Sequence, residues 1–287
     1  MGKDTGKLYI CPTPIGNLED ITLRVIRALQ EADLVAAEDT RHSIKLLNHL
    51  GIQKPLTSYH EHNKEGKGKL LVEKLLAGEK IAIVTDAGMP GISDPGSDLV
   101  RACIQEGIEV EVLPGPTAFV TALVASGLPT EKFSFEGFLD RDKKLRKKRL
   151  KEIAVEDRTL IFYEAPHRLI TALEDMIEVL GNRKAVAAKE LTKLHEKFIR
   201  GSLEELIQDF KEKEPKGEFI VLVEGAAPEA REKSEEERWR HLSIGEHILM
   251  YIEEGLDKKE ATKKVAKDRG LSKREVYEYS IGLEKYT

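Results

Sequence analysis

The chain has 287 residues, 40% hydrophobic and 34% charged, with a formal net charge of −5, long enough for one large domain or two ordinary ones. Its longest apolar runs, such as "LVAA" and "FIVLV", are far too short to span a bilayer, and the opening "MGKDTGKLYI" lacks the apolar stretch of a signal peptide. Cys11 and Cys103 stand in no metal or redox spacing, and His60 and His62 form only an isolated H-x-H pair, so a cytoplasmic protein without membrane or metal is expected.

Strand-like and amphipathic runs alternate through the first half. "LYIC" leads to a helical "ITLRVIRALQEA", "LVAAE" to "RHSIKLLNHL", and "LTSYH" to a helix over 64–77. "IAIVTD" leads to a helix over 96–106, and "VEVLP" to "TAFVTALVA". Such spacing predicts a mainly parallel sheet covered on both faces. A second alternation starts near Phe133, with strands "FSFEGF", "TLIFYE", "AVAAKEL" and "FIVLVEG" and helices over 169–180 and 203–213. "GLPTEK" supplies a break between the two, giving domains at 1–128 and 129–227. The charged stretch 228–240 reads as a linker. In the tail 241–287, Ser243, Asp257 and Ser272 each precede a Glu by three residues, the capping-box spacing, and Gly255 and Gly270 fit as stops. Three short helices follow, as a helix-turn-helix-like module or as a cap on the second domain.

In an open parallel sheet, ligands bind beyond the carboxyl ends of strands. Three loops there are unusual: "CPTPIGNLED", "TDAGMPGISDPG" and "LPGPTA". No G-x-G-x-x-G, no G-x-x-x-x-G-K-[ST] and no G-x-S-x-G occurs, which argues against a standard dinucleotide site, a P-loop ATPase and an esterase elbow. Gly88 and Gly91 let main-chain groups approach a ligand without a Cβ, and Pro90 and Pro95 fix the path. "LPGPTA" places Thr117 and Ala118 near a helix start, where free N–H groups favour a carboxylate. The expectation is a small, folded ligand with one anionic end.

In order, "TPIGNLEDITLR", "AAEDTRHS", "SYHEHN", "DAGMPGISDPG", "LPGPTA", "GLPTEKFSFEGFL", "FYEAPHRL" and "KELTKLHE" resemble the ribosomal RNA small subunit methyltransferase I family of the tetrapyrrole methylase superfamily. The resemblance runs from about Leu8 to Gly225, and the tail is similar to that family's helical module. It implies two consecutive α/β/α sandwich domains, S-adenosylmethionine in the cleft between them, a homodimer, and methylation of a cytidine ribose 2′-hydroxyl in the decoding region of 16S ribosomal RNA. Carried over by motif, the cofactor contacts are Pro14, Asp86, Gly88, Met89, Ile92, Ser93, Thr117, Ala118, Tyr163, Leu191 and Thr192. The family usually has Thr where Met89 stands and a larger aliphatic where Gly91 stands.

Methyl transfer from a sulfonium is an in-line displacement, and a group that removes the hydroxyl proton assists it. Asp39, His60, Glu61, Glu164 and Glu190 stand near predicted strand ends, although Asp39 equally suits a helix cap. Arg41, Lys189 and Arg168 could orient carboxylates or hold phosphate. "RDKKLRKKRLKE" over 141–152 carries eight basic residues against two acidic ones. Its place just after "FEGFL" points to RNA contact through Lys143, Lys144, Arg146, Lys147 and Lys148, alongside Arg41; a solvated helix face is the plainer reading. Tyr59 and Phe138 are stacking candidates. A tetrapyrrole C-methyltransferase would share the loops but need a large apolar cleft, and a non-catalytic ribosome-binding assembly factor would not need three cofactor loops.

Overall fold

The computed structural model describes residues 5–228, 236 and 238–281. Five short strands, β1 (Lys7–Ile10), β2 (Leu34–Ala37), β3 (Leu56–Ser58), β4 (Ile81–Val84) and β5 (Glu109–Val112), pair in the order β3-β2-β4-β1-β5. Every pairing is parallel, so all five carboxyl ends open on one edge. The strand pleat sends successive side chains to opposite faces. Tyr9, Val35, Ala82 and Val84 meet α1 (Leu23–Glu31) and α2 (Thr40–His49) on one face. Leu8, Ile10, Ile81 and Ile83 meet α3 (Lys64–Leu76) and α4 (Gly96–Gln105) on the other. Because both faces are covered, β4 is buried throughout, which explains its unbroken apolar "IAIV".

The second sheet joins β6 (Phe133–Phe138), β7 (Thr159–Glu164), β8 (Lys184–Lys189), β9 (Lys197–Ser202) and β10 (Phe219–Val223) in the order β6-β7-β10-β8-β9. Only β6 and β7 run parallel; the remaining pairings are antiparallel. Its edge strand β9 is absent from the sequence reading. "KFIRGS" has few apolar residues because an edge strand is half solvated, and charge there discourages further pairing.

One face of this sheet packs on α6 (Lys143–Glu152), α7 (Leu169–Leu180) and α8 (Leu203–Glu212). The other face packs on α5 (Ala118–Ser126), through Ala122 and Leu123 against Ile161, Ile220 and Leu222. The domain boundary expected at 128 is therefore corrected: α5 follows β5 in sequence but supplies the second sheet's cover. Its apolar "AFVTALVA" is what that face requires. Both sheets belong to one compact unit, 1–154 with 158–225.

The other unit comprises 155–157 and 226–287, and its described core is a three-helix cluster. The helices are α9 (Ile244–Glu253), α10 (Lys258–Asp268) and α11 (Lys273–Ile281). Ser243 accepts from the Glu246 amide while Glu246 accepts from the Ser243 amide, and Ser272 and Glu275 repeat this reciprocal pattern. Asp257 accepts from the Glu260 amide at 2.7 Å. Most of the expected linker 228–240 lies outside the described residues.

Candidate active site

The loop after β1 and the long loop after β4 are laced together. Thr13 and Gly88 exchange both backbone hydrogen bonds, at 2.9 and 3.0 Å. The buried Thr13 hydroxyl also donates to the Thr85 carbonyl at 3.0 Å. Gly88 takes φ +85°, and a β-carbon there would sit 3.3 Å from Ile15 Cγ2. Asp94 closes the rest of the long loop by accepting from the Gly91 amide at 2.8 Å and the Gly96 amide at 2.7 Å. Burial pushes the Asp94 carboxyl up, while these two amides favour its charged form. This corrects one expectation. The backbone groups of Gly88 and the Gly91 amide serve the loop's own structure and are not free for a ligand; the glycines act by letting two loops approach closely.

The second sheet meets these loops at the turn after β8. A β-carbon at Gly16 would lie 2.6 Å from the Leu191 carbonyl oxygen and 2.7 Å from Thr192 Oγ1. Gly16 is thus required by close approach. Among the described residues, the non-glycine positions with positive φ are Ser93, Glu190 and Thr192, all in these two loop regions. Such strain, about 1–3 kcal/mol per residue, persists where surrounding structure enforces it and clusters at functional sites.

Between the loops and the second sheet lies a cleft of about 560 Å³, within the size range of small-ligand sites. Asp86, Ile92, Ser93, Ala118, Tyr163 and Leu191 all line it, which gathers residues up to 105 positions apart. Tyr163 is wedged edge-on against Phe135 at 5.0 Å and beside Phe138 at 5.4 Å, and burial pushes its hydroxyl pKa up. Of the remaining cofactor candidates, Thr117 is the residue before α5 and Met89 packs into the core beneath the first sheet. Gly88 and Thr192 flank the cleft without lining it, and Pro14 lines a neighbouring pocket. The Thr192 hydroxyl is buried with no partner.

The catalytic candidates separate. Glu190 lines the cleft; its partial desolvation is outweighed by the Glu218 amide and Lys193, which hold its carboxyl below the usual range. Asp39 does not line the cleft. It caps α2 by accepting from the Arg41 amide at 2.8 Å, and the Arg41 guanidinium at 2.6 Å holds its carboxyl far below the usual range. Glu61 pairs with Lys64 at 2.8 Å on the surface. The His60 ring packs against Asn63, with Nδ1 buried and unpartnered, away from the cleft lining. These three are corrected as candidate bases in the cleft, because β3 and the start of α2 turn them elsewhere.

Glu164 does line the cleft, and burial raises its carboxyl pKa; one oxygen accepts from the Ala165 amide and the other is buried without a partner. Glu38, Asp94, Glu218 and Lys193 also line it and were missed. Glu38 ends the strand "LVAAE", so the carboxyl-end rule points to it before its neighbour Asp39. It accepts from the Thr85 hydroxyl at 2.6 Å.

The basic run forms α6. Lys143, Lys144 and Lys148 are exposed. Arg146 is not: it is 5% exposed, forms a two-nitrogen contact with Asp175 at 2.6 and 2.8 Å, and donates to the carbonyls of Asp140 and Arg141. Its expected role on RNA is corrected to that of a core ion pair. Lys147 pairs with Glu178 and Asp175. Arg41 is exposed and paired to Asp39. Tyr59 is core, its hydroxyl donating to the Pro95 carbonyl, whereas Phe138 is 57% exposed at the cleft.

These features define a two-sheet α/β protein with a small-ligand cleft at its loop edge. The family model described as "Tetrapyrrole (Corrin/Porphyrin) Methylases" matches residues 7–207. Solved structures of this fold include the uroporphyrin-III-C-methyltransferase of Thermus thermophilus, at TM-score 0.56 and 24% identity over 76% of this chain and 94% of that one. The methyltransferase CobJ matches at TM-score 0.59 and 23% identity, over 78% and 95%. Two curated relatives bear the name ribosomal RNA small subunit methyltransferase I. That of Halalkalibacterium halodurans is 54% identical, over 96% of this chain and 94% of its own. That of Bacillus subtilis is 49% identical, over 96% and 94%. A third, from Thermotoga maritima, is 50% identical, and its match covers 77% of this chain but 99% of its own. The chain belongs to the ribosomal RNA small subunit methyltransferase I family, within the tetrapyrrole methylases.

Proposed function

We propose that this protein uses S-adenosylmethionine to methylate the ribose 2′-hydroxyl of a cytidine in the decoding region of 16S ribosomal RNA, acting in the cytoplasm as a homodimer. The observation that carries the reading is the convergence of six separated motif residues on one cleft wall, in a chain whose relatives are named for small-subunit ribosomal RNA.

The lining suits the cofactor. Glu38, Asp86, Asp94, Glu164, Glu190 and Glu218 outnumber Lys193 and His167 there, which favours a cationic ligand and disfavours a polycarboxylated tetrapyrrole. When bound, the cofactor supplies an electrophilic methyl group on a sulfonium. Tyr163, Phe138 and Leu191 offer apolar surface for a flat ring, and Ser93 offers a polar contact. The interlocked Thr13–Gly88 loops hold this wall in place before binding, lowering its ordering cost. Exposed Lys143, Lys144 and Lys148 on α6 offer phosphate contacts outside the cleft.

The test is transfer of labelled methyl from S-adenosylmethionine to unmodified small subunits, followed by mapping of the product. Label on the 2′-oxygen of one decoding-region cytidine is expected. Cofactor binding with label only on a tetrapyrrole would replace the reading, and an absence of cofactor binding would refute it.

A further inference from the structure

A second pocket, of about 200 Å³, opens beside the cleft at the start of α2. The two cavities share Thr85 and Asp86 as a common wall. Pro14, Leu18 and Leu46 give the smaller one an apolar side, and His42, Lys45 and Asp86 a polar one. That mixture suits a nucleotide, with apolar surface for a base or sugar and a cation for its phosphate. His42 Nδ1 stands 3.6 Å from Asp86 Oδ2, and its side chain is 60% exposed. Beside this pair, Asp39 is fixed as the α2 cap by the Arg41 amide.

Resting on the proposed 2′-O-methylation, we infer that this pocket receives the acceptor nucleotide, with His42 as its proton acceptor and Asp86 as the residue that positions His42. A methyl acceptor must reach the cofactor from a space that adjoins the cofactor's own. This pocket does so at Asp86. With Nδ1–H turned toward Asp86, Nε2 presents a lone pair to the incoming hydroxyl. The acceptor O–H bond breaks and its proton passes to Nε2. Its oxygen forms the new bond to the methyl carbon, as the carbon–sulfur bond of the methyl donor breaks. The imidazolium that results faces the Asp86 carboxylate, the arrangement that stabilises it. The carboxylates Asp39, Glu61 and Glu190 are oriented by other partners, whereas His42 has no other ion-pair partner among the described residues.

The experiment uses the full chain with small subunits as acceptor and three readouts: cofactor affinity, KM for the subunit, and single-turnover rate. His42→Ala is expected to cut the rate by about 10²–10⁴-fold, the usual contribution of a general base. Cofactor affinity should stay within about twofold, and added imidazole should restore at least about tenfold of the lost rate, a rescue that a structural histidine would not give. Leu18→Trp, at a half-exposed wall residue, should raise the subunit KM at least about tenfold by filling the pocket, with cofactor affinity unchanged. A His42→Ala rate within about threefold of wild type would overturn the assignment. So would a rate loss that tracks lost cofactor affinity without imidazole rescue. A wild-type chain that binds cofactor yet methylates no ribose hydroxyl would overturn the functional reading itself, and this inference with it.

Discussion

The two sheets of the large unit contribute to one cleft by different means. The first is wholly parallel, so its βα loops gather on one edge, and there a backbone framework of paired Thr13 and Gly88, with amides collected by Asp94, carries lining residues such as Asp86, Ile92 and Ser93. The second is mixed, and it contributes side chains, such as Tyr163, Glu164, Leu191 and Ile220. Such a loop framework does not tolerate an added Cβ at Gly88. A side-chain site depends on packing behind it, which here includes the buried Arg146–Asp175 pair between α6 and α7.

The largest effect should come from behind the second sheet. Arg146→Ala leaves Asp175 charged and buried, and stability should fall by about 3–5 kcal/mol in denaturant unfolding. Arg146→Met with Asp175→Leu should recover most of it, because apolar replacement of a buried pair is often neutral or stabilising. In the first sheet, Gly88→Val should act on binding. Left-handed backbone costs a branched residue about 1–2 kcal/mol or more, and the contact with Ile15 adds to it. Cofactor affinity by calorimetry should drop at least about tenfold. The contrast would collapse if Gly88→Val left cofactor affinity intact.

The helical unit has its own pH response. His247 is fully buried, its Nδ1 accepts from Arg269 Nε, and it stacks on Trp239 at 4.8 Å. Burial, and then the Arg269 charge, push its pKa down from 6.5 to about 4. The folded state therefore keeps the ring neutral while the unfolded chain takes up a proton below 6.5, so this stability is present above that pH and is lost as pH falls toward 4. Trp239 is the chain's one tryptophan, so its fluorescence reports on this unit. Its melting midpoint should fall across that range, and His247→Phe should flatten the dependence. The smallest effect belongs to α6. Neutralising Lys143, Lys144 and Lys148 together should lower the salt slope of RNA binding by about 2 and leave cofactor affinity unchanged; an unaltered slope would return α6 to a plain solvated face.

Much of this was legible beforehand for a definite reason. The unbroken apolar "IAIV" marks a strand covered on both faces, the period-3.6 pattern of "LITALEDMIEVL" reports which face meets the core, and the fold's helices fall close to where such patterns stand. Caps were legible too, since Ser243 and Glu246 act on each other across three residues. The edge strand β9 was not, because a half-solvated strand carries little apolar pattern. Nor was the fate of Arg146: in a run of eight basic residues, only the position of Asp175, 29 residues on, distinguishes the buried arginine from its exposed neighbours.

By itself the sequence determined the two α/β sandwiches, the three site-bearing loops, the capped tail helices and the family, all of which rest on local patterns or contiguous motifs. Tertiary structure alone decided that α5 covers the second sheet, that Asp39 caps while Glu38 lines the cleft, and that His42 faces Asp86. Each of these turns on which residues from distant parts of the chain meet, and on a helix or strand rotating one neighbour inward and the next outward. A one-residue step along the chain, from Glu38 to Asp39, changes the direction a side chain takes; only the packed fold supplies what it meets there.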